Sequence, residues 1–228
     1  MCGRYASFLP PDALRAVFRT INPLGNFAPS WNVAPRQRPP VVFLNREGER
    51  HIEALQWGLL PYWVKDAKAP RYPINARCET AASSGMFRDA LARRRCLVPA
   101  NNYYEWRTED GRKRPYAFAR KDGFPLALAG LWETWKGPEG DLLRTFAIVT
   151  TDASAEASPY HNRMPVIVEE GDWPLWLGEP GREGDHAALM RPAPEGTLNV
   201  WPAHRDLGNV RNDHKDLLRE WVEPLNSA

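Results

Sequence analysis

The chain has 228 residues, 43% hydrophobic and 25% charged, with 30 basic against 28 acidic side chains and a formal net charge of +2, which is ordinary for a globular protein with a full core. No apolar run nears the ~20 residues of a membrane span, and the start of the chain lacks a signal-peptide core, so the sequence reads as cytosolic. Cys2, Cys78 and Cys96 are too scattered for a disulfide framework or a cysteine zinc site, and the five histidines show no metal spacing, so neither a metal nor a nucleotide cofactor is expected.

Met1-Cys2-Gly3-Arg4-Tyr5 opens the chain. A small residue at position 2 permits removal of Met1, which leaves Cys2 with an α-amine and a thiol on neighbouring carbons. Such groups titrate at about pH 8 and about pH 8.5, so a useful fraction of each is nucleophilic near neutrality. An aldehyde meeting this pair gives an imine, and the sulfur then closes a thiazolidine ring. An internal cysteine cannot do this, because its nitrogen is held in an amide.

A helix is predicted over residues 12–19 with Asp12 as its N-cap. Paired strands follow over 39–44 and 52–57, around a turn at Asn45-Arg46-Glu47-Gly48, and an aromatic, Pro-interrupted loop runs from Trp57 to Trp63. Asn75-Ala76-Arg77 falls in a loop, where an amide beside a guanidinium suits a sugar and its phosphate. A second helix is predicted over 86–95, with Arg93-Arg94-Arg95 at its C-terminal end.

Strands dominate from there: 96–99, 102–107, 115–120, 126–132, 145–151 and 164–168, with Asp110-Gly111 and Asp122-Gly123 as hairpin turns. Residues 126–132 are apolar on both alternating faces, the pattern of a central strand. Within Asn102-Tyr103-Tyr104-Glu105-Trp106, alternation puts Tyr103 with Glu105 and Tyr104 with Trp106. It does not say which pair faces inward. An inward Glu105 is a proton shuttle with a raised pKa, and an outward one is a solvated charge. His161 beside Arg163 can move protons at neutral pH while the arginine holds an anion, or it can be structural. Short helices are predicted over 172–177, 185–190 and 213–222. The expected fold is α+β: a single domain, residues 1–228, on a mostly antiparallel, barrel-like sheet with flanking short helices.

Taken in order, Cys2-Gly3-Arg4, Asn32-Val33-Ala34-Pro35, Trp57-Gly58-Leu59-Leu60-Pro61, Asn75-Ala76-Arg77, Tyr104-Glu105-Trp106, His161-Asn162-Arg163-Met164-Pro165 and Gly208-Asn209-Val210-Arg211-Asn212 resemble the SOS response-associated peptidase (SRAP) family, whose members shield abasic sites in single-stranded DNA. The resemblance implies a catalytic set of Cys2, Asn75, Glu105 and His161. Cys2 bonds the opened sugar, Asn75 positions it, Glu105 is the acid/base, and His161 steadies the sugar and aids proton transfer and reversal. It also implies phosphate contacts from Arg4, Arg77 and Arg163, and base contacts from Trp63, Trp106 and Pro40. The partner implied is single-stranded DNA carrying abasic sites, including single-strand/double-strand junctions. The protein is expected to be a cytoplasmic monomer, nucleoid-associated when bound, without membrane or metal, and with weak lyase activity. Two rivals use the same residues: an N-terminal-nucleophile cysteine peptidase, which turns over, and a non-covalent single-strand binder, which ignores Cys2.

Overall fold

A computed structural model describes residues 2–23, 25, 27–65 and 72–220. Among these residues thirteen strands run in chain order: β1 (Arg4–Ser7), β2 (Ser30–Val33), β3 (Pro40–Leu44), β4 (Arg50–Ala54), β5 (Gln56–Trp57), β6 (Asn75–Arg77), β7 (Arg95–Ala100), β8 (Asn102–Glu109), β9 (Arg112–Arg120), β10 (Leu126–Lys136), β11 (Leu142–Asp152), β12 (Arg163–Pro165) and β13 (Leu198–Pro202). The α-helices are short: α1 (Pro11–Phe18), α2 (Cys78–Ala81), α3 (Arg88–Arg93) and α4 (Trp173–Leu177). The architecture is the expected α+β one, sheets curled into a half-barrel with a few short helices against them.

A five-stranded sheet has the order β13-β9-β8-β1-β2, and a larger one runs β12-β11-β10-β7-β3-β4, with β5 and β6 also on β11. Pairing is antiparallel except that β5 and β6 lie parallel to β11. β8 and β9 meet at Asp110-Gly111, both at positive φ (48° and 73°), the backbone that matches a two-residue hairpin to strand twist. β10 is covered on both sides as its sequence predicts. Leu126 and Leu128 enter the core between the two sheets, while Ala127, Ala129 and Leu131 enter a second core under the helices. Gly130 is needed at the crossing, since a Cβ there would stand 2.7 Å from Cys96 Sγ.

The helices differ from expectation in their ends. α1 is capped by Pro10 with Pro11 in the first turn and no side-chain cap, so Asp12 serves inside that turn instead. α3 is shorter than predicted because Arg95 already pairs with Leu131 in the sheet. The helices predicted over 185–190 and 213–222 are 3-10 turns, His186–Leu189 and Lys215–Leu218; Trp221 and Val222 lie outside the described residues. Among the described residues no helix is long and apolar enough to cross a membrane.

Candidate functional site

The site begins with how β1 is held. It lies between β2 and β8, with Tyr5 opposite Val33 on one side and Tyr103 on the other. Arg4 Nη1 donates to Asn32 Oδ1 (2.9 Å) and to the Leu207 carbonyl (3.1 Å). The Asn32 amide in turn donates to the Asn212 carbonyl at 2.8 Å and reaches that of Asn209 at 3.1 Å. Two segments singled out in the sequence, Asn32-Val33-Ala34-Pro35 and the Gly208 to Asn212 turn, thus brace the first strand. Asn32 is not among the expected site residues. Its signal is the full burial of a polar side chain, which sequence cannot display.

Cys2 is 0% exposed, and burial, reinforced by the charge of Glu105, pushes its thiol well above the usual range, against the expectation of a useful thiolate fraction near neutrality. Asn75 Nδ2 donates to the Cys2 carbonyl at 2.9 Å. Asn75 is not in a loop, as the sequence suggested, but opens β6, where it lies opposite Ile148 of β11. A strand of three residues has no readable period. Its Oδ1 is buried without a hydrogen-bond partner among the described residues, as are the hydroxyls of Tyr5 and Tyr103.

The alternation left open on β8 resolves inward for Glu105. It is buried on the same side as Tyr103, and that burial raises its carboxyl pKa. His161 follows the turn closed by its own N–H to the Ala157 carbonyl (3.1 Å). The Arg163 backbone N–H donates to His161 Nδ1 at 2.9 Å, so the neutral ring carries its proton on Nε2. Burial lowers the pKa of this histidine. The positive charge of the chain's amino terminus acts on Cys2, Glu105 and His161 alike.

The remaining expected residues divide. Arg77 is exposed on the last position of β6. Trp63, 53% exposed, stands beside Tyr62, 54% exposed, as an aromatic pair facing solvent. Pro40 is buried in the wall of a cleft of about 380 Å³ with Phe27, Val33, Arg38 and Pro39. Trp106 points to the other face of the smaller sheet and packs with Tyr104, Ala203 and Leu207, away from Cys2. The guanidinium of Arg163 is held inside the protein: Nη1 bonds Glu79 (2.5 Å) and Asp152 (2.8 Å), and Nη2 bonds Glu79 (2.9 Å) and the Thr150 carbonyl (2.7 Å). Among the described residues there is no cluster of His, Cys, Asp or Glu able to hold a metal.

This arrangement places a thiol, an amide, a carboxyl with a raised pKa and a neutral imidazole near one chain terminus, a set able to capture a carbonyl and move protons around it. The SOS response associated peptidase (SRAP) family model matches residues 1–210. The chain is 33% identical over 222 residues to abasic site processing protein YoqW of Bacillus subtilis, covering 96% of this chain and 99% of that one. It is 30% identical over 231 residues to abasic site processing protein YedK of Escherichia coli, with the same coverage. A solved structure of a Bacteroides thetaiotaomicron protein, 22% identical, superposes with a TM-score of 0.87 over 97% of this chain and all of that one.

Proposed function

The chain belongs to the SOS response associated peptidase (SRAP) family, and from that premise we propose that it processes abasic sites in single-stranded DNA by covalent capture on Cys2. Removal of Met1 frees the amine. The amine adds to the aldehyde of the ring-opened deoxyribose, water leaves, and an imine forms. The Cys2 sulfur then adds to the imine carbon while the nitrogen takes up a proton, closing a thiazolidine. One water is lost overall, and no oxidant or reductant is required.

Asn75, already bonded to the Cys2 carbonyl, turns its remaining amide capacity to the sugar. Glu105 keeps a proton at pH values where an exposed carboxyl has lost it, and that proton assists the departure of water. His161 offers Nε2–H to the opened sugar. Arg77 and Trp63 meet the strand outside. Arg163 and Arg4 act as positioning residues, the first through His161 and Glu79, the second through β1. The same imine can reverse or drive strand elimination, which accounts for weak lyase activity. The protein works in the cytoplasm on strands exposed at damage.

The observation that carries this reading is the meeting of Cys2, Asn75 and Glu105 within the span shared with the family. Intact mass before and after mixing with an abasic single strand tests it. The expected result is a protein lacking Met1 that gains the mass of the strand less one water, with no gain for Cys2→Ala. An equal adduct on the alanine variant, or repeated turnover of a peptide substrate without any adduct, overturns it.

A further inference from the structure

Away from Cys2, the Arg93-Arg94-Arg95 run has a fate that its composition does not suggest. The three side chains part company. Arg94 Nη2 pairs with Glu133 at 2.6 Å. Arg95 turns beneath the ends of two helices, where Nε donates to the Trp176 carbonyl (2.5 Å) and Nη1 to those of Leu91 (2.8 Å) and Ala92 (2.9 Å). Its Nη2 lies against Gly178, where a Cβ would come within 2.6 Å and where φ is +82°, so a glycine is needed twice over. Arg93 stays exposed at the end of α3.

The turn between β3 and β4 brings a third cation to the same place. Asn45 N–H bonds the Glu49 carbonyl (2.9 Å). Gly48, at φ +81°, packs so closely on Pro180 that a Cβ would meet its Cγ at 2.9 Å. Arg46 rides on this anchored turn. The result is a cavity of about 300 Å³ whose lining includes Arg46, Arg93, Arg95, Asn45 and the half-buried Trp132, and no carboxylate among the described residues. Glu133 is engaged on Arg94 and Glu179 on Arg50, while Glu49 accepts from the lining residue Asn45. One face of the Trp132 indole rests on Phe43, with ring centroids 4.6 Å apart.

We propose that this cavity is a second binding site, for a nucleoside phosphate: the phosphate on Arg46 and Arg93, with the charge of the internally bonded Arg95 behind them, and the base against Trp132. Guanidinium forks match phosphate oxygens, and an indole offers a stacking surface indifferent to base identity. The volume sits at the lower end for small-molecule sites, about 300 Å³, enough for one nucleotide unit. A free nucleotide and a nucleotide within a strand present the same chemistry. The cavity shares no lining residue with the Cys2 site, so its occupancy can be measured apart from the covalent step.

The test uses the Cys2→Ala full chain, in which no adduct can form, and calorimetric titration with dTMP, with inorganic phosphate and with an intact single-stranded oligonucleotide. The expected result is dTMP binding that weakens at least tenfold in Arg46→Glu/Arg93→Glu. Trp132→Leu weakens dTMP but leaves inorganic phosphate unchanged. If the ligand is a strand, the double variant also lowers the oligonucleotide's salt slope by roughly 0.7 for each phosphate left unneutralised; if it is a free nucleotide, that slope stays and only dTMP binding falls. Unchanged dTMP and oligonucleotide affinity in the double variant overturns the proposal. So does an equal loss of dTMP and phosphate in Trp132→Leu. Failure of the wild-type protein to form any adduct would bear on Cys2 alone.

Discussion

The two faces of the larger sheet bury cores of different character. Under the helices, Leu97, Ala129, Val149, Val166 and their neighbours pack with Trp173 and Trp176. Both indoles there are satisfied, donating to the Val168 carbonyl at 2.9 Å and the Cys96 carbonyl at 2.8 Å. Between the sheets, the core around Cys2 contains tyrosine hydroxyls and the Asn75 oxygen, buried without hydrogen-bond partners among the described residues, and Glu105 has its pKa raised there by burial. Leaving a buried polar atom unpaired costs stability, so proteins tolerate it where a ligand or a reaction will use it. One face of the sheet is built for stability, and the other carries unpaired polar groups at the proposed site.

The sharpest way to break this contrast is to exchange damage between the faces. Cys2→Ala is expected to abolish the adduct while leaving thermal unfolding nearly unchanged, since it removes a single buried atom. Trp176→Ala is expected to cost ~3–5 kcal/mol of stability, as large buried side chains do, while the fraction still folded forms adduct at the normal rate. Denaturant midpoints alongside adduct yield per folded molecule separate the two. Lost chemistry in fully folded Trp176→Ala would dissolve the distinction.

Glu105→Gln probes the trade within the site. Adduct formation should slow by ~10²–10⁴, the usual worth of a positioned acid or base. Stability should move the other way. Burial raises the folded-state pKa of Glu105 above its unfolded value, so between those values the folded protein holds the extra proton and stability falls as pH rises. Above the folded-state pKa the ionised carboxylate is therefore a burden that glutamine lacks. The variant should melt higher than the wild type on the alkaline side of that pKa, with the advantage vanishing below the ordinary glutamate pKa. A lower melting temperature on the alkaline side would mean that Glu105 belongs to the stabilising side.

Next in size is Arg163→Met, expected to cost about 2 kcal/mol, less than breaking a fully buried pair because Glu79 is 48% exposed. The Arg163 hydrogen bonds hold the Glu79 carboxyl down to a pKa of about 2. A depressed carboxylate stabilises the fold above its unfolded pKa, and that stabilisation is lost as pH falls toward about 2. Wild-type stability should therefore drop across this acid window, and the Met variant should show a shallower drop there. Parallel acid-unfolding curves would remove Glu79 from the account.

Reading this chain from its sequence succeeded where a local rule was enough. The double-sided apolarity of Leu126 to Trp132 announced a covered central strand, and Asp110-Gly111 announced a hairpin. Alternation on β8 correctly joined Glu105 to Tyr103, but which face looks inward depends on where β1 pairs, a meeting of distant segments. The same limit applies to Arg163, whose partners Glu79 and Asp152 come from elsewhere in the chain, and to Trp106, whose face is covered by Ala203 and Leu207. β5 and β6, with two and three residues, are too short to carry any pattern and are strands only because β11 lies beside them.

Arg77 and Arg163 share a motif-level expectation and differ in surroundings, which makes the smallest expected effect informative. Arg163 is fixed by two carboxylates and a carbonyl; Arg77 is exposed. Removing an exposed side chain rarely moves stability by more than about 0.5 kcal/mol, so Arg77→Ala should unfold like the wild type. If its guanidinium meets one phosphate of a bound strand, affinity for an intact oligonucleotide should fall modestly and the logarithmic salt slope should shrink by roughly 0.7, one released counterion's share. Arg163→Met should leave that slope alone if the guanidinium charge is spent on Glu79 and Asp152 rather than on the strand, yet lower stability by removing the fork on Glu79. Oligonucleotide binding measured from low to high salt for both variants tells them apart. A slope that shrinks for Arg163→Met and not for Arg77→Ala would reverse their roles and put the buried guanidinium on the DNA.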